Sequence, residues 1–564
     1  MREKISPELE LALASDSYSP GSSLYLGYNS AEDIWSLVIR HAGNIDDLME
    51  QVIRHCVYLM GGFAVIDIYT TNIDILQKDP RILYIDKSNY FSYGVDNISY
   101  EKYTSCVTKS FVREYGLYGD GVCVGIIDSG LDIQNREFVN ANGSRLVAYW
   151  NQNEKYSSDT PNRYRLGHIY DRAGVKKAYE DGESIGGGYS THGTEITSIA
   201  AGTYTGIASQ SDIIMVEQSL ERNMPDTISI MMGLDYLVRY SIDNSQPMVI
   251  NLSYGNNFGA HDGSSMLELY IDTVSVMGRI SVVTGTGNDG SRELHTSGML
   301  GNVSFADIDV AVSGGVNNFG LQIWKSYVDS FDVILYSPSY DMVAYLTEGQ
   351  MVSGAEAGVT RIYGIFQDPS PLNIKQLIYI FFQSRKKIEQ GVWHVRLMPK
   401  SIVNGIYNAY LPSPSYITGR VAFENSSAFG TLTIPATSGN VISVAAYDQN
   451  TGAMASFSGR GFTADNMVKP DIAAPGVGVT VSTGEGMYAL ADGTSISAAF
   501  VSGSAALLME WGIVRENDSF MYGEKLKAQL IRGARQPDKF GKYPNRYIGW
   551  GTLCVRNSIP MYTI

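Results

Sequence analysis

Cysteine is scarce: Cys56, Cys106, Cys123 and Cys554 are the four in 564 residues. They form no CxxC pair and no Cys/His spacing, so neither a disulfide framework nor a zinc site is indicated, and free, mostly buried thiols are expected. Long apolar runs are missing too. No uninterrupted stretch reaches the roughly 18 residues of a membrane span, and one of the most apolar pieces, IYIFF at 378–382, has polar flanks. The opening residues, MREKISPELELALASDS, never offer the apolar core of a secretory signal. The chain is therefore expected to be made and kept inside a cell. Positive charge is in deficit, 42 Lys and Arg against 58 Asp and Glu, a net −16. That balance argues against a nucleic-acid-binding surface and against general electrostatic docking on anionic lipid. What is present is an ordinary globular composition, 44% apolar and 18% charged, which rules out wholesale disorder and a coiled-coil or collagen rod. At about 150 residues per domain, two or three packed units are expected.

The apolar periodicity divides the chain. Residues 33–40 read as a strand. Residues 45–60 place Ile45, Leu48, Met49, Val52, Ile53, Cys56 and Val57 at helical spacing, and Gly61-Gly62 would end that helix. FAVIDIY (63–69) alternates as a strand, 72–77 is a short helical piece and 81–86 another strand, so a small α+β unit closes near residue 90. The stretch 88–100 lacks periodicity and reads as a linker.

From Gly121 buried strands alternate with helices. Strands are expected over 122–128, 212–218, 248–253 and 280–287, and helices over 193–201, about 227–241 and 264–277. A parallel sheet covered on both faces requires this pattern, so the fold class is α/β. After about residue 302 the alternation stops. Densely spaced strand-like pieces with Gly, Pro and Ser turns predict a β-sandwich or jelly roll. The α/β pattern then resumes with a strand over 441–448 and a long small-residue helix over 494–512, so the all-β block is an insertion.

Three segments carry chemistry. Gly125-Ile126-Ile127-Asp128-Ser129-Gly130 ends an apolar strand in a carboxylate, at the strand edge where ligands collect in an open parallel sheet. Ser190-Thr191-His192-Gly193-Thr194 places a histidine at the opening of a helix. Gly493-Thr494-Ser495 starts a helix whose free N–H groups and positive dipole end favour a developing oxyanion. Taken singly, each has a plain structural alternative: a turn or cap aspartate, a capping histidine, an N-cap serine.

Together, DSG, then HGT, then GTS before a small-residue helix resemble the subtilisin-like serine proteases, with their chain order Asp, His, Ser. The resemblance covers about residues 100–300 and 430–555. It implies Asp128, His192 and Ser495 as the catalytic triad, and Asn288 with the Ser495 backbone N–H as the oxyanion hole. Ile250-Asn251-Leu252-Ser253-Tyr254-Gly255 resembles the substrate-binding strand, and Thr286-Gly287-Asn288 the oxyanion segment, making Leu252, Ser253, Tyr254, Gly255, Thr286 and Gly287 the implied substrate contacts. Lys469-Pro470-Asp471-Ile472-Ala473-Ala474-Pro475-Gly476 resembles the stretch before the serine. Ala499 stands where the family helix usually carries a proline, which removes rigidity but no chemical group. This chemistry needs no metal or organic cofactor.

The resemblance also implies an architecture. Residues 1–95 resemble the inhibitory, folding-assisting prodomain of these enzymes, 96–304 and 431–564 form the two parts of the catalytic domain, and 305–430 form the inserted jelly roll. Self-cleavage is expected within 88–100. The tail NYFSYG points to acceptance of an apolar or aromatic residue, and Tyr254 to a limit on pocket depth. A prodomain without a secretory signal, a β-insert between asparagine and serine, and the stretch Gly255 to Ser265 are similar to the clostridial Csp-type spore germination proteases. Some members of that group activate the precursor of a cortex-degrading hydrolase by limited proteolysis, and others are inactive germinant receptors. The implied partners are a protein substrate, possibly a cortex hydrolase zymogen, and the cleaved prodomain itself; the implied location is the spore. A germinant-sensing or binding protein of the same fold, or a subtilase with an unrelated protein substrate, are the alternatives. His261 and Asp262 are expected to structure their loop.

Overall fold

The computed structural model describes residues 4–15, 22–93, 115–187, 190–219, 224–301, 303–368, 373–484 and 486–560. Its contacts divide the chain into two units. One comprises Phe91–Gly255, Leu267–Ser291 and Leu432–Ile564; the other comprises Met1–Tyr90, Asn256–Met266 and Arg292–Thr431.

Eight strands build the sheet of the first unit. They are β1 (Cys123–Asp128), β2 (Leu146–Asn151), β3 (His168–Tyr170), β4 (Asp212–Glu217), β5 (Met248–Leu252), β6 (Ile280–Gly285), β7 (Ile442–Tyr447) and β8 (Ile472–Pro475). In space they run β3-β2-β4-β1-β5-β6-β7-β8. Every neighbouring pair is parallel except β2 with β3. All residues of β1, β5 and β6 are buried. These strands are therefore continuous apolar runs and not alternating ones, as a sheet covered on both faces demands. The chain leaves β1 toward β2 and β4 on one side and later places β5 on the other. The strand order thus reverses beside β1, at the carboxyl end where an open α/β sheet forms its ligand crevice.

Helices α1 (Arg172–Asp181), α2 (His192–Ala201), α3 (Thr227–Asp243), α4 (Met266–Val274), α5 (Thr494–Met509) and α6 (Gly523–Gly533) accompany this sheet. Aspartate 226 and Ser229 close a reciprocal capping box that starts α3. All of α5 is buried. Its Gly503 explains the composition of that helix: a Cβ there would stand 2.6 Å from the Ala200 carbonyl oxygen, so only glycine lets α5 press against α2. The segment Thr494–Val514 is apolar and long enough to cross a bilayer by composition, yet 94% of its apolar window is buried in protein, as in a core helix.

The second unit holds the N-terminal α+β layer and the all-β block. Ile34–His41 pairs with Tyr28–Asn29, Phe63–Tyr69 and Ile82–Lys87, and Ile53–Tyr58 flanks Phe63–Tyr69. One expectation fails here. The helix predicted over 45–60 stops after Asp46–Gln51, and Ile53–Tyr58 is a strand. Its apolar residues fit both periods; pairing with Phe63–Tyr69 and the strand preference of Ile53, Val57 and Tyr58 decide for the sheet. Gly61 and Gly62, at φ 72° and 79°, turn the hairpin and do not cap a helix.

The all-β block is two antiparallel sheets. One orders His295–Met299, Ile406–Tyr410, Asn318–Ser326, Lys375–Gln383, Thr360–Phe366 and Met351–Ala357; the other orders Met342–Leu346, Ser330–Tyr336, Gly391–Ser401, Ala306–Val312 and Val421–Phe423. They share one core that includes Phe319, Ile380, Phe382, Val333, Trp393 and Val395. The opposite face of the first sheet is apolar as well. Tyr363, Ile365, Leu377, Tyr379 and Phe381 join a second core with Leu9, Ala12, Leu37, Ile39 and Ile85 of the N-terminal layer. The apolar IYIFF segment is thus buried on both faces, and no membrane is needed to explain it.

His261 and Asp262 do structure their loop. His261 Nε2 contacts the Asn257 carbonyl at 2.9 Å and its ring stacks on Tyr410, while Asp262 holds Ser264, Asn373 and Lys375. Cys123 and Cys554 are free and buried, and Cys56 is free and half-buried; Cys106 lies outside the described residues.

Candidate active site

Strand β1 delivers Asp128 to the sheet's carboxyl edge with no exposed surface. Its Oδ1 accepts the Ser129 N–H at 2.7 Å and stands 2.6 Å from His192 Nδ1. The glycines around both residues have a packing reason. A Cβ on Gly193 would lie 3.0 Å from the Gly130 carbonyl carbon, so the HGT turn can rest on the DSG turn only because position 193 lacks a side chain. Ser129 Oγ accepts the Gly193 N–H at 3.1 Å and closes the joint. Burial disfavours the His192 imidazolium, but the Asp128 charge and hydrogen bond outweigh it, with Glu195 adding to them, and the pKa lies above the ordinary 6.5.

Ser495 is the second residue of α5 and 1% exposed. Its helix packs against α2, which carries His192. Just before it, Thr494 receives Asn288: the Thr494 N–H and Oγ1 both donate to Asn288 Oδ1, at 3.0 and 2.9 Å. With the oxygen end of the amide held, Nδ2 is the free end; it is buried and has no partner among the described residues. A buried, unsatisfied donor beside a helix N-terminus is what a developing oxyanion would complete.

The other expected contacts fall around this centre. Leu252 ends β5 beside β1. Ser253 Oγ donates to Asn251 Oδ1 at 2.5 Å, and Asn251 Nδ2 donates to Ser502 Oγ of α5 at 2.9 Å. Tyr254 and Gly255 form a short strand paired antiparallel with Tyr93 and Ser92. The stretch read as a linker is therefore ordered through residue 93, with Phe91 N–H donating to the Pro225 carbonyl at 2.9 Å; the rest of the expected cleavage window, 94–100, lies outside the described residues. Thr286 is buried, its N–H bonded to the Val444 carbonyl at 3.1 Å, and Gly287 adopts φ 90° directly before Asn288. Thr494 and Ser129 escaped the sequence reading although they lie within the motifs quoted, because they act on other side chains and not on a ligand.

A family model described as "Subtilase family" matches residues 119–312 and 420–551, more than half of the chain. The chain belongs to the subtilase family. A second model, the Csp protease B prodomain, matches residues 3–88 of this subtilase. Among solved structures, the CspB protease of Clostridium perfringens superposes with a TM-score of 0.73 at 29% identity, over 80% of this subtilase and 94% of that chain. The minor extracellular protease Vpr of Bacillus subtilis is 23% identical over 465 residues, 79% of this chain and 52% of its own. A cuticle-degrading serine protease of Arthrobotrys oligospora is 23% identical over 217 residues, 38% of this chain and 44% of its own. The chain spans about half the length, or less, of these curated relatives.

Proposed function

We propose that this subtilase is a serine endopeptidase that cleaves itself within residues 88–100 and then activates a protein substrate by limited proteolysis, namely a cortex-lytic hydrolase precursor in spore germination. The observation that carries the endopeptidase is the Asp128–His192 pair, the Ser495 helix start and the buried Asn288 Nδ2, which has no partner among the described residues. The prodomain match and the similarity to the Clostridium perfringens CspB protease support the germination substrate and packaging in the spore.

In the reaction, Ser495 Oγ attacks the scissile carbonyl and its proton passes to His192 Nε2. Asp128 fixes the imidazole tautomer and stabilises the imidazolium. The carbonyl oxygen, now negative, takes hydrogen bonds from Asn288 Nδ2 and the Ser495 N–H. Collapse breaks the C–N bond, and His192 returns the proton to the leaving amine. Water then hydrolyses the acyl-enzyme by the same base. Pairing of Ser92 and Tyr93 with Gly255 and Tyr254 has the form of a bound peptide, added as a strand to the substrate edge.

Intact-mass and N-terminal sequencing of the wild type beside Ser495→Ala tests this. Splitting of the wild type within 88–100 and an uncut variant is the expected result. A wild type that stays whole would move a sensing role of the same fold ahead of proteolysis. Incubation of the processed protein with a cortex hydrolase precursor tests the substrate separately: one new N-terminus is expected, and an untouched precursor removes that substrate while leaving the protease.

A further inference from the structure

Two glycines face a common slot beside the oxyanion segment. Gly255 closes the strand paired by Ser92, and Gly287 precedes Asn288. Neither wall carries a side chain, and one residue fills the space between them. A Cβ built on Gly255 would stand 2.8 Å from the Thr433 Cβ, and one built on Gly287 would stand 2.6 Å from Thr433 Oγ1. The Thr433 N–H donates to the Thr286 carbonyl at 3.0 Å, which fixes the threonine to the oxyanion segment. The residue is 3% exposed, and its hydroxyl has no partner among the described residues.

The direction of the paired strand says what the slot faces. Ser92 lies opposite Gly255 and Tyr93 opposite Tyr254, so a chain on this edge runs toward Ser253 and the end of β5, next to β1 and Asp128. A peptide bound in this register reaches the catalytic groups immediately after the residue that faces Tyr254. The next residue presents its carbonyl to Asn288, and its side chain has the slot between 253–255 and 286–288 as its place. Thr433 occupies the depth of that slot.

We propose that Thr433 makes this protease select glycine, alanine or serine at the residue whose carbonyl is attacked, and exclude leucine and aromatic side chains there. The proposal rests on the endopeptidase function above and specifies its substrate class. It also locates the self-cleavage bond. Gly94 follows Tyr93 in the sequence and Val95 follows Gly94; the bond cut is Gly94–Val95. The aromatic preference that the tail sequence suggested is thereby replaced, and the limit on depth belongs to Thr433 instead of Tyr254. Two glycine walls with a small plug accept a side chain no larger than about a hydroxymethyl group, and each further methylene costs the transition state about 10–200-fold, the range seen when a pocket must refuse bulk.

The test uses the full chain and peptides that copy its own tail, Tyr-Phe-Ser-Tyr-X-Val, with X as Gly, Ala, Ser, Leu or Phe. Mass analysis of the self-processed protein is expected to give a prodomain fragment ending at Gly94. The wild type is expected to cleave the Gly, Ala and Ser peptides at least about 100-fold more efficiently than the Leu and Phe peptides. Thr433→Gly is expected to raise the Leu-to-Ala and Phe-to-Ala ratios of kcat/KM by about tenfold or more. Thr433→Ala, which retains a Cβ, is expected to give a smaller rise and keeps the test available should the glycine variant fold poorly. Equal cleavage of Phe and Ala by the wild type, or an unchanged Phe-to-Ala ratio in a folded variant that still cuts the Ala peptide, overturns this specificity and leaves the endopeptidase standing. A wild type that neither processes itself nor cuts any peptide overturns the endopeptidase and this inference together.

Discussion

Thr494 grips Asn288 twice, with its N–H and its Oγ1 donating to the one oxygen Oδ1 at 3.0 and 2.9 Å. The Gly287 N–H donates to the same hydroxyl at 3.1 Å, so Thr494 Oγ1 links the segment before the asparagine to the asparagine itself. An amide anchored at its oxygen keeps its N–H2 aimed at the site without reorganisation during the reaction.

Removing that anchor should therefore act on turnover. Asn288→Ala is expected to lower kcat by roughly 10²–10³-fold, the scale for loss of one oxyanion donor. Thr494→Val keeps the shape and the backbone bond but removes the hydroxyl, and is expected to lower kcat about tenfold with KM unchanged, the scale of one net hydrogen bond. Thr494→Ser should recover most of the loss. Steady-state kinetics on a single peptide separate the two parameters; a change confined to KM would mean that Thr494 serves binding and does not position Asn288.

The acid limb of the pH profile should follow His192. The base must be neutral to accept the Ser495 proton, so kcat/KM falls as pH drops through the histidine pKa. Burial alone would lower that pKa, but Asp128 raises it by charge and hydrogen bond and Glu195 adds to this. The midpoint is therefore expected above the ordinary 6.5. Asp128→Asn should move it down and reduce kcat by about 10⁴. A midpoint that stays in place in Asp128→Asn would assign the titration to another group.

A second pH dependence belongs to the N-terminal layer. Glu8 lines a pocket of about 90 Å³ together with Asp86, Trp324 and Asn373. Burial and the Asp86 charge push its carboxyl up to about 7, against opposing contributions from a backbone hydrogen bond and Lys87, and Gln322 Nε2 donates to it at 2.6 Å. A carboxyl raised from 4.5 to about 7 binds its proton more tightly folded than unfolded, so it contributes stability below 4.5 that is lost as pH rises through about 7. Thermal melting of Ser495→Ala across pH 5 to 8 should show this fall, and Glu8→Gln should flatten it. An equal slope in Glu8→Gln would place the titration on Asp86, whose carboxyl burial also raises.

Much of this was legible because one physical signal sufficed. Strands β1, β4, β5 and β6 are unbroken apolar runs between turn residues, and of the glycines kept by the DSG, HGT and GTS turns, Gly193 is one that the packing explains. Strands β2 and β3 and helix α1 were not legible: LVAYWN and HIY are short, and RAGVKKAYED is polar on most of its surface. Ile53–Tyr58 misled because its apolar spacing suits a helix as well as a sheet edge, and only the partner strand decides. Thr433 was invisible for a different reason. It sits in no motif and acquires meaning only from Gly255 and Gly287, both far away in the chain.

The strand Lys375–Gln383 has no face of its own to give to water. One side is finished when its own block folds, but the other waits for Leu9, Leu37 and Ile85, made several hundred residues earlier. During synthesis the N-terminal layer must therefore persist with an unmatched apolar surface until most of the chain has emerged. Contacts of such long range are slow to form and leave adhesive intermediates, so the demand for assistance in folding falls on the ribosome-bound chain and not on the finished molecule.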